Sequence, residues 1–406
     1  MKVENYIRDI ETQRESMAER VIQWANINSN SFHVPGLERM AAVLTQAFSG
    51  LGCAGDVLSL PPIERVDATG LPKSVDLGPM LRFWKRPEAP VQVLLVGHMD
   101  TVYELDHPFQ TAIRKNDQVI QGPGVSDMKG GLCVMLEALS AFEQSSAVDQ
   151  LGWEVLINPD EEIGSLGSAP FLAERAKAHH IGLVFEPAMD EIGTLAGERK
   201  GSGKFTLIVH GRAAHAGRDF AAGRNAILLL AEIISQINAL NGKHTGVTLN
   251  IGQIQGGGSV NVVPALAICR VDVRIPAIED EAWVRERLEH IVAAANKTEG
   301  FKVELRGTFS RKPKALLGKT RELYELVAEL GKELGQSITW KPSGGCCDGN
   351  NLAAAGLPNV DTLGVCGGKI HSEEEYVLVD SLVSRVQLTA ALLVRLSEGW
   401  LKNFHR

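Results

Sequence analysis

Apolar positions follow two periods along this chain, and the switches between them outline a fold. Continuous aliphatic and β-branched runs, VQVLLVG at 91–97, WEVLINP at 153–159 and IGLVFEP at 181–187, read as strands buried on both faces. Between and after them the spacing becomes helical, over about 130–143 and 168–179. Strands alternating with helices predict a mostly parallel sheet with helices on both faces. At the start, Tyr6, Ile10, Met17, Val21 and Trp24 mark an amphipathic helix. The segment 61–90 is rich in Pro, Gly and Asp, shows little periodicity, and reads as a long connection holding one strand, 80–85.

The middle of the chain has a different rhythm. Strands are expected over 204–210, 247–255, 266–274 and 301–306, with helices over 223–239 and 280–296. The order β-α-β-β-α-β is that of a ferredoxin-like module. Helix–strand alternation then resumes, with helices over 320–334, around Ala353 and over 382–398, and a strand over 360–363. The expectation is an α/β domain made of residues 1–197 and 311–406, interrupted by an α+β domain over 198–310.

Composition narrows the function classes. The 406 residues, 44% hydrophobic and 22% charged, are ordinary for a soluble globular protein with room for two or three domains. Lys and Arg total 41 against 49 Asp and Glu, a net charge of −8, which argues against a general nucleic-acid binder. No apolar run approaches the roughly 20 residues of a membrane span, and the charged start carries no export signal. The 6 cysteines include no CxxC pair, and two of them are adjacent, which fits a reducing cytoplasm better than a disulfide scaffold.

The chemistry must lie outside the common motifs. There is no GxGxxG after a strand, no GxxxxGK[ST], no HExxH and no GxSxG, and GQIQGGGSVN at 252–261 lacks the Lys and helix of a phosphate loop. What remains is a set of histidines and carboxylates at strand ends. His98 and Asp100 follow the first strand, two apart, so Asp100 can bond one imidazole nitrogen and leave the other for a metal. Asp127 sits in GPGVSDMKGG, Glu161 and Glu162 in NPDEEIGS, Glu186 at the end of an apolar strand, and His371 in GGKIHSEEEYV. Taken singly, an N-cap explains Asp127 and a solvated loop explains the acidic run. Taken together, His98, Asp127, Glu162, Glu186 and His371 stand where open α/β sheets bind ligands. Two imidazoles and three carboxylates suit a pair of divalent ions, zinc above all, or cobalt or manganese. Glu161 is then left as a free carboxylate beside the metals, where a general base is wanted.

At these residues the chain resembles the di-zinc metallopeptidase family of glutamate carboxypeptidase, acetylornithine deacetylase, succinyl-diaminopimelate desuccinylase and aminoacylase. The matching stretches include GHMDTVYE at 97–104, GPGVSDMKGG at 122–131, DEEIGSLGS at 160–168, GRAAHAGRDFAAGRNAI at 211–227, SVNVVP at 259–264, SGGCCDGN at 343–350 and GGKIHSEEEYV at 367–377, in the family's order from about residue 90 to the end. The glutamate-carboxypeptidase branch is nearest. The resemblance implies a zinc-exopeptidase-like catalytic domain with the inserted module as a lid. It implies that Asp127 bridges two metals, His98 and Glu186 complete one site, and Glu162 and His371 complete the other. Asp100 then orients His98, Glu161 is the general base, and a cis peptide follows Asp127.

In the lid the resemblance gives His215 the substrate carbonyl oxygen, often from a partner subunit. It gives Asn261, Arg274 and the backbone N–H groups of Gly344 and Gly345 the substrate carboxylate. Arg199 and Lys200, at the entry to the lid, are either a further anion contact or solvated hinge charges. Cys346 and Cys347 depart from the family's small residue followed by Ser or Thr, and read as two small buried thiols. The implied activity is cleavage of an amide next to a free α-carboxylate in a small peptide, with C-terminal glutamate the first expectation. N-acyl-amino-acid deacylation is the alternative, and a binding protein that has lost catalysis is the reading outside enzymes. A homodimer through the lid is also implied.

Overall fold

The computed structural model describes residue 7 and residues 9–400. The main sheet has the strand order Ala54–Leu58, Met80–Lys85, Leu151–Asn158, Val91–His98, Ile181–Val184 and Asn359–Val360. The last four run parallel, and the first two add antiparallel at one edge. His98 lies opposite Asn158, and Val96 opposite both Leu156 and Val184. Three parallel strands therefore finish level at one rim, the place where such sheets hold ligands.

Alternation along these strands fills both faces. Val93, Leu95, Val155 and Ile157 enter the larger core with helices Arg14–Ala25, Gly131–Phe142, Gly318–Glu333 and Val379–Ser397. Leu94, Val96 and Leu156 face the other way, toward helices Ala169–Ala176 and Asp348–Ala354. Each such buried aliphatic side chain stabilises by roughly 1.5–3 kcal/mol, so the strand ends that carry the rim are firmly seated.

A second sheet, ordered Thr248–Gly256, Leu266–Ile275, Gly201–His210 and Lys302–Arg311, is antiparallel throughout. Helices Ala226–Asn238 and Asp280–Ala295 cover one face. Phe205, Leu207 and Val209 point to those helices in a core separate from the first. Ser202 and Lys204, on the opposite face, look onto a cleft at the rim of the main sheet. The chain enters this ferredoxin-like module past Arg199 and leaves past Lys314. These two residues exchange backbone hydrogen bonds of 2.9 Å, so the connections form a two-stranded hinge.

Several elements differ from the pattern reading. The segment 61–90 holds a hairpin, Ile63–Val66 with Pro72–Val75, besides Met80–Lys85. The Asp67 side chain turns it by accepting from the amides of Thr69 and Leu71, and most of its residues are exposed, which leaves no alternating signal. Val66 O accepts from Arg270 Nη2 at 2.7 Å, tying the hairpin to the lid. Helix Val34–Ser49 and strand Ala54–Leu58 also lay beyond the reading. The strand expected over 360–363 stops at Val360, because Thr362 takes a left-handed φ of 63°. Residues 7 and 9 are already helical, a tighter turn Ile10–Gln13 follows, and helix Arg14–Ala25 carries the stretch on. Ile10, Met17, Val21 and Trp24 are buried as expected, and Tyr6 lies outside the described residues.

Candidate metal centre

His98 ends the strand Val91–His98 and is buried. Its Nδ1 faces Asp100, 3.0 Å from the backbone oxygen and 3.3 Å from Oδ1, which leaves Nε2 as the free nitrogen. Asp100 does more than orient the ring. Its carboxylate also accepts from the amides of Glu161 and Glu162 at 3.1 Å and from Ser31 Oγ at 2.6 Å. One side chain thus locks the His98 strand end to the loop that carries both glutamates.

Asp127 stands in the turn before helix Gly131–Phe142, and its peptide bond to Met128 is cis. Its two oxygens look in opposite directions: Oδ1 lies 3.1 Å from His98 Nε2, and Oδ2 lies 3.3 Å from His371 Nε2. Glu186 Oε1 is 3.8 Å from His98 Nε2, and Glu162 Oε2 is 3.2 Å from His371 Nε2. Donor atoms of His98, Asp127 and Glu162 lie within 4.8 Å of one another, as do those of His98, Glu161 and Glu186. His371 adopts a left-handed φ of 61°, uncommon for a residue with a side chain and typical of functional sites.

Burial and like charge strain this cluster electrically. Burial, then the Asp127 charge, pushes Glu162 up to about 8, and the same causes raise Glu186. Burial raises Glu161 as well, against the nearby Arg311. Burial opposes ionisation of Asp127, but hydrogen bonds to His371 and His98 win and hold it below the usual range. Hydrogen bonds to Asp127 and Glu162 carry His371 up to about 11. Four carboxylates and two imidazoles with a single guanidinium among them therefore cannot all hold their ordinary ionisation. Hard and borderline divalent cations take this donor set in its deprotonated form and cancel its charge, so the residues fit such a group.

The acidic run is divided among roles. Asp160 is buried and turned away, accepting from Gly167 N, Ser168 N and Ser168 Oγ within its own loop. Glu161 Oε1 lies 2.7 Å from Arg311 Nη2, which also donates to the Glu161 backbone oxygen at 2.9 Å. Arg311 is the last residue of a lid strand, so the lid touches this glutamate directly.

Sequence reasoning missed Arg311 and also Glu375. The Glu375 carboxylate, fully buried, accepts from the amides of Gly124, Ser126 and Asp127 and from the Tyr103 hydroxyl, and so shapes the Asp127 turn. In the run SEEEY, Glu373 and Glu374 are exposed and Glu375 is buried, a difference that residue type alone does not signal.

The cleft over these residues has a volume of about 430 Å³ and takes one wall from the lid. Arg274 lines it, yet Asp272 already holds one edge of the guanidinium, at 2.7 and 3.1 Å, and Nη1 meets Cys346 Sγ at 3.2 Å. Gly345 lines it too, but its N–H donates to Ser343 Oγ, so the amide expected for a substrate is engaged in a local turn. Arg199 is no solvated hinge charge: it is buried and bonds Asp361 at 2.9 and 3.0 Å. Lys200 donates to Gly246 O instead. Cys347 is the buried thiol expected and caps helix Asp348–Ala354, whereas Cys346 is only half-buried and faces the cleft. His215 and Asn261 lie together on an exposed turn of the lid and line no part of the cleft.

Residues 94–395 match Peptidase family M20/M25/M40. Carboxypeptidase G2 of Pseudomonas sp. strain RS-16 is 29% identical over 310 residues, 76% of this chain and 74% of that protein. A succinyl-diaminopimelate desuccinylase of Hahella chejuensis is 28% identical over 326 residues, 75% of this chain and 82% of that protein. The crystal structure of an M20 family metallo-carboxypeptidase from Sulfolobus solfataricus shares the fold, with a TM-score of 0.73 at 18% identity over 93% of this chain and 98% of that one. With the match running through the sheet rim, the lid and the closing helix, this chain belongs to Peptidase family M20/M25/M40 and is a hydrolase of C–N bonds.

Proposed function

We propose that this chain is a two-metal exopeptidase that cleaves an amide whose amine half carries a free α-carboxylate. The observation that carries the reading is the Asp127 carboxylate between two imidazoles, with Glu161 beside it in one cleft. His98, Asp127 and Glu186 would hold one divalent ion, and Asp127, Glu162 and His371 the other. Zinc suits these N and O donors best, cobalt or manganese next. Such ions supply Lewis-acid polarisation of the scissile carbonyl and of water.

The chain's own groups do the rest. Glu161 takes a proton from the attacking water as the oxygen–carbon bond forms, and gives it to the departing nitrogen as the carbon–nitrogen bond breaks. Arg311 supplies that carboxylate with a charge partner, its Nη2 2.7 Å from Oε1 and donating to the Glu161 backbone oxygen. Asp100 fixes the His98 tautomer. The outer edge of Arg274 is the α-carboxylate contact within the chain, and Asn261, beside His215 on the exposed lid turn, would join only from a second copy.

We read residues 1–197 and 311–406 as the catalytic unit and 198–310 as its lid, with the last lid strand running on by one residue to Arg311. His215, exposed in one chain, would donate to the carbonyl oxygen of a second copy. The exposed Phe220, Leu228, Ile254 and Val260 on the lid support a homodimer there. Six cysteines with no disulfide among the described residues fit a cytoplasmic setting. No described helix is long and apolar enough to cross a membrane.

Deacylation of an N-acyl amino acid uses the same groups, and the desuccinylase relative favours keeping it as the second reading. A panel of dipeptides and N-acyl amino acids, run with zinc and with cobalt, tests both. Hydrolysis of none, in protein shown to carry metal, overturns the proposal.

A further inference from the structure

Five Lys and Arg side chains line the cleft, and four already face a carboxylate. Arg199 bonds Asp361 at 2.9 Å, Arg274 bonds Asp272 at 2.7 Å, Arg311 lies 2.7 Å from Glu161, and Lys369 lies 3.8 Å from Glu374. Lys204 is different. It is exposed into the cleft and has no hydrogen bond or ion pair among the described residues. The acid opposite it in register is Asp272, whose oxygens Arg274 already takes bidentately. Desolvation between the cleft walls, then the Arg311 charge, lowers the Lys204 pKa, against smaller opposing pulls from the Glu161 and Asp272 charges.

The surroundings of the ammonium are open and polar. Its Nζ lies 3.9 Å from where a Cβ of Gly164 would stand, and Ser310 Oγ lies 3.6 Å from that same point. Ser310 Oγ is buried and has no hydrogen-bond partner. An ammonium and an unused hydroxyl thus flank a floor that Gly164, at φ 105°, leaves without a side chain. Arg274 sits diagonally across the neighbouring strand from Lys204. Such diagonal neighbours are about 7–8 Å apart, within reach of two carboxylates on one short residue.

We infer that Lys204 is a specificity-determining residue that binds a negatively charged side chain on the amino acid released, while its α-carboxylate lies toward Arg274. This rests on the proposal that the amine half of an amide substrate sits in this cleft. The chemistry is that of a charge-assisted hydrogen bond from an ammonium to a carboxylate.

The test compares kcat/KM for N-benzoyl-Glu and N-benzoyl-Gln, near-isosteres differing in charge, in the metal-loaded wild type, Lys204→Met and Lys204→Glu. The wild type is expected to favour Glu on the order of ten- to a hundredfold, the range for a bond to a charged group. Lys204→Met should bring the Glu:Gln ratio to within about threefold, and Lys204→Glu should favour N-benzoyl-Arg over N-benzoyl-Glu. Folding is checked by thermal melting. A wild type with no Glu preference, or a Lys204→Met enzyme that keeps it, overturns the inference while leaving the peptidase reading intact. If nothing in the series is hydrolysed, the peptidase reading fails. Calorimetric binding of free Glu against free Gln to the same proteins then decides on Lys204 alone.

Discussion

At the rim of the main sheet, His98, Asp127, Glu161 and Glu186 are all less than a tenth exposed, and Asp127 lies between the imidazoles of His98 and His371, both distant from it in sequence. On the outer turn of the lid, His215 is exposed and meets little beyond the amides of Gly217 and Arg218, which donate to its Nδ1. The first region is pre-organised within one chain. The second, in the function we propose, gains its surroundings from a second copy. The contrast teaches that a cleft whose titratable groups are pre-arranged in one chain can still leave a proposed oxyanion donor outside it.

The comparison can be broken most directly at the base. Glu161→Gln should lower kcat by about a thousandfold, in the range of general acid–base catalysis, with metal content unchanged by elemental analysis. A loss of only a few-fold would remove Glu161 from the mechanism. On the lid side, His215→Ala should cost roughly a hundredfold in kcat, as loss of an oxyanion donor does, without moving the melting temperature. Mixing unfolded and refolded Glu161→Gln and His215→Ala subunits should restore activity, because a mixed dimer has one intact site. Failure to restore it would place His215 in its own chain's cleft or outside the reaction.

A smaller effect is expected one layer out from the metal ligands. Glu375→Gln keeps the shape but weakens the anchor of the Asp127 turn, and should cut metal affinity by about ten- to a hundredfold in a chelator competition. Smallest of all, Leu228→Asp on the exposed lid surface should shift stability by no more than about 0.5 kcal/mol while weakening self-association in sedimentation. If it unfolds the protein instead, the lid surface belongs to the core.

Much of the fold was legible in the sequence, for physical reasons that vary by element. Val91–His98 and Leu151–Asn158 are buried on both faces, so their continuous apolar runs could mean little else. The lid strand Gly201–His210 covers helices on one side and a cleft on the other, so it alternates. The hairpin Ile63–Val66 with Pro72–Val75 is mostly exposed and carries no such signal. The residues of the candidate metal centre could be picked out as a group because each stands just past a strand or in a tight turn, and the fold brings their side chains within a few ångströms. Arg311, Glu375 and Lys204 were not. Their importance lies in which distant partner they meet, or in having none, and residue type and local spacing do not encode that. Gly345 shows the reverse limit, since the hydroxyl that occupies its N–H belongs to Ser343, two residues away, and spacing alone did not reveal the turn.

The hinge has a consequence for how such a protein can be taken apart. Because Arg199 and Lys314 exchange backbone hydrogen bonds side by side, both chain connections to the lid pass through one narrow stalk. Antiparallel neighbours of this kind are what a two-residue turn joins. A chain joined there, by a short Asn-Gly link, would keep every strand of the main sheet in register and shed the lid as one cassette. It would also lose Arg311, and with it the only guanidinium against the Glu161 carboxylate among the described residues. With Glu161 as the base we propose, lids exchanged between relatives would carry that carboxylate's charge partner with them, so grafting one would transplant reactivity as well as shape.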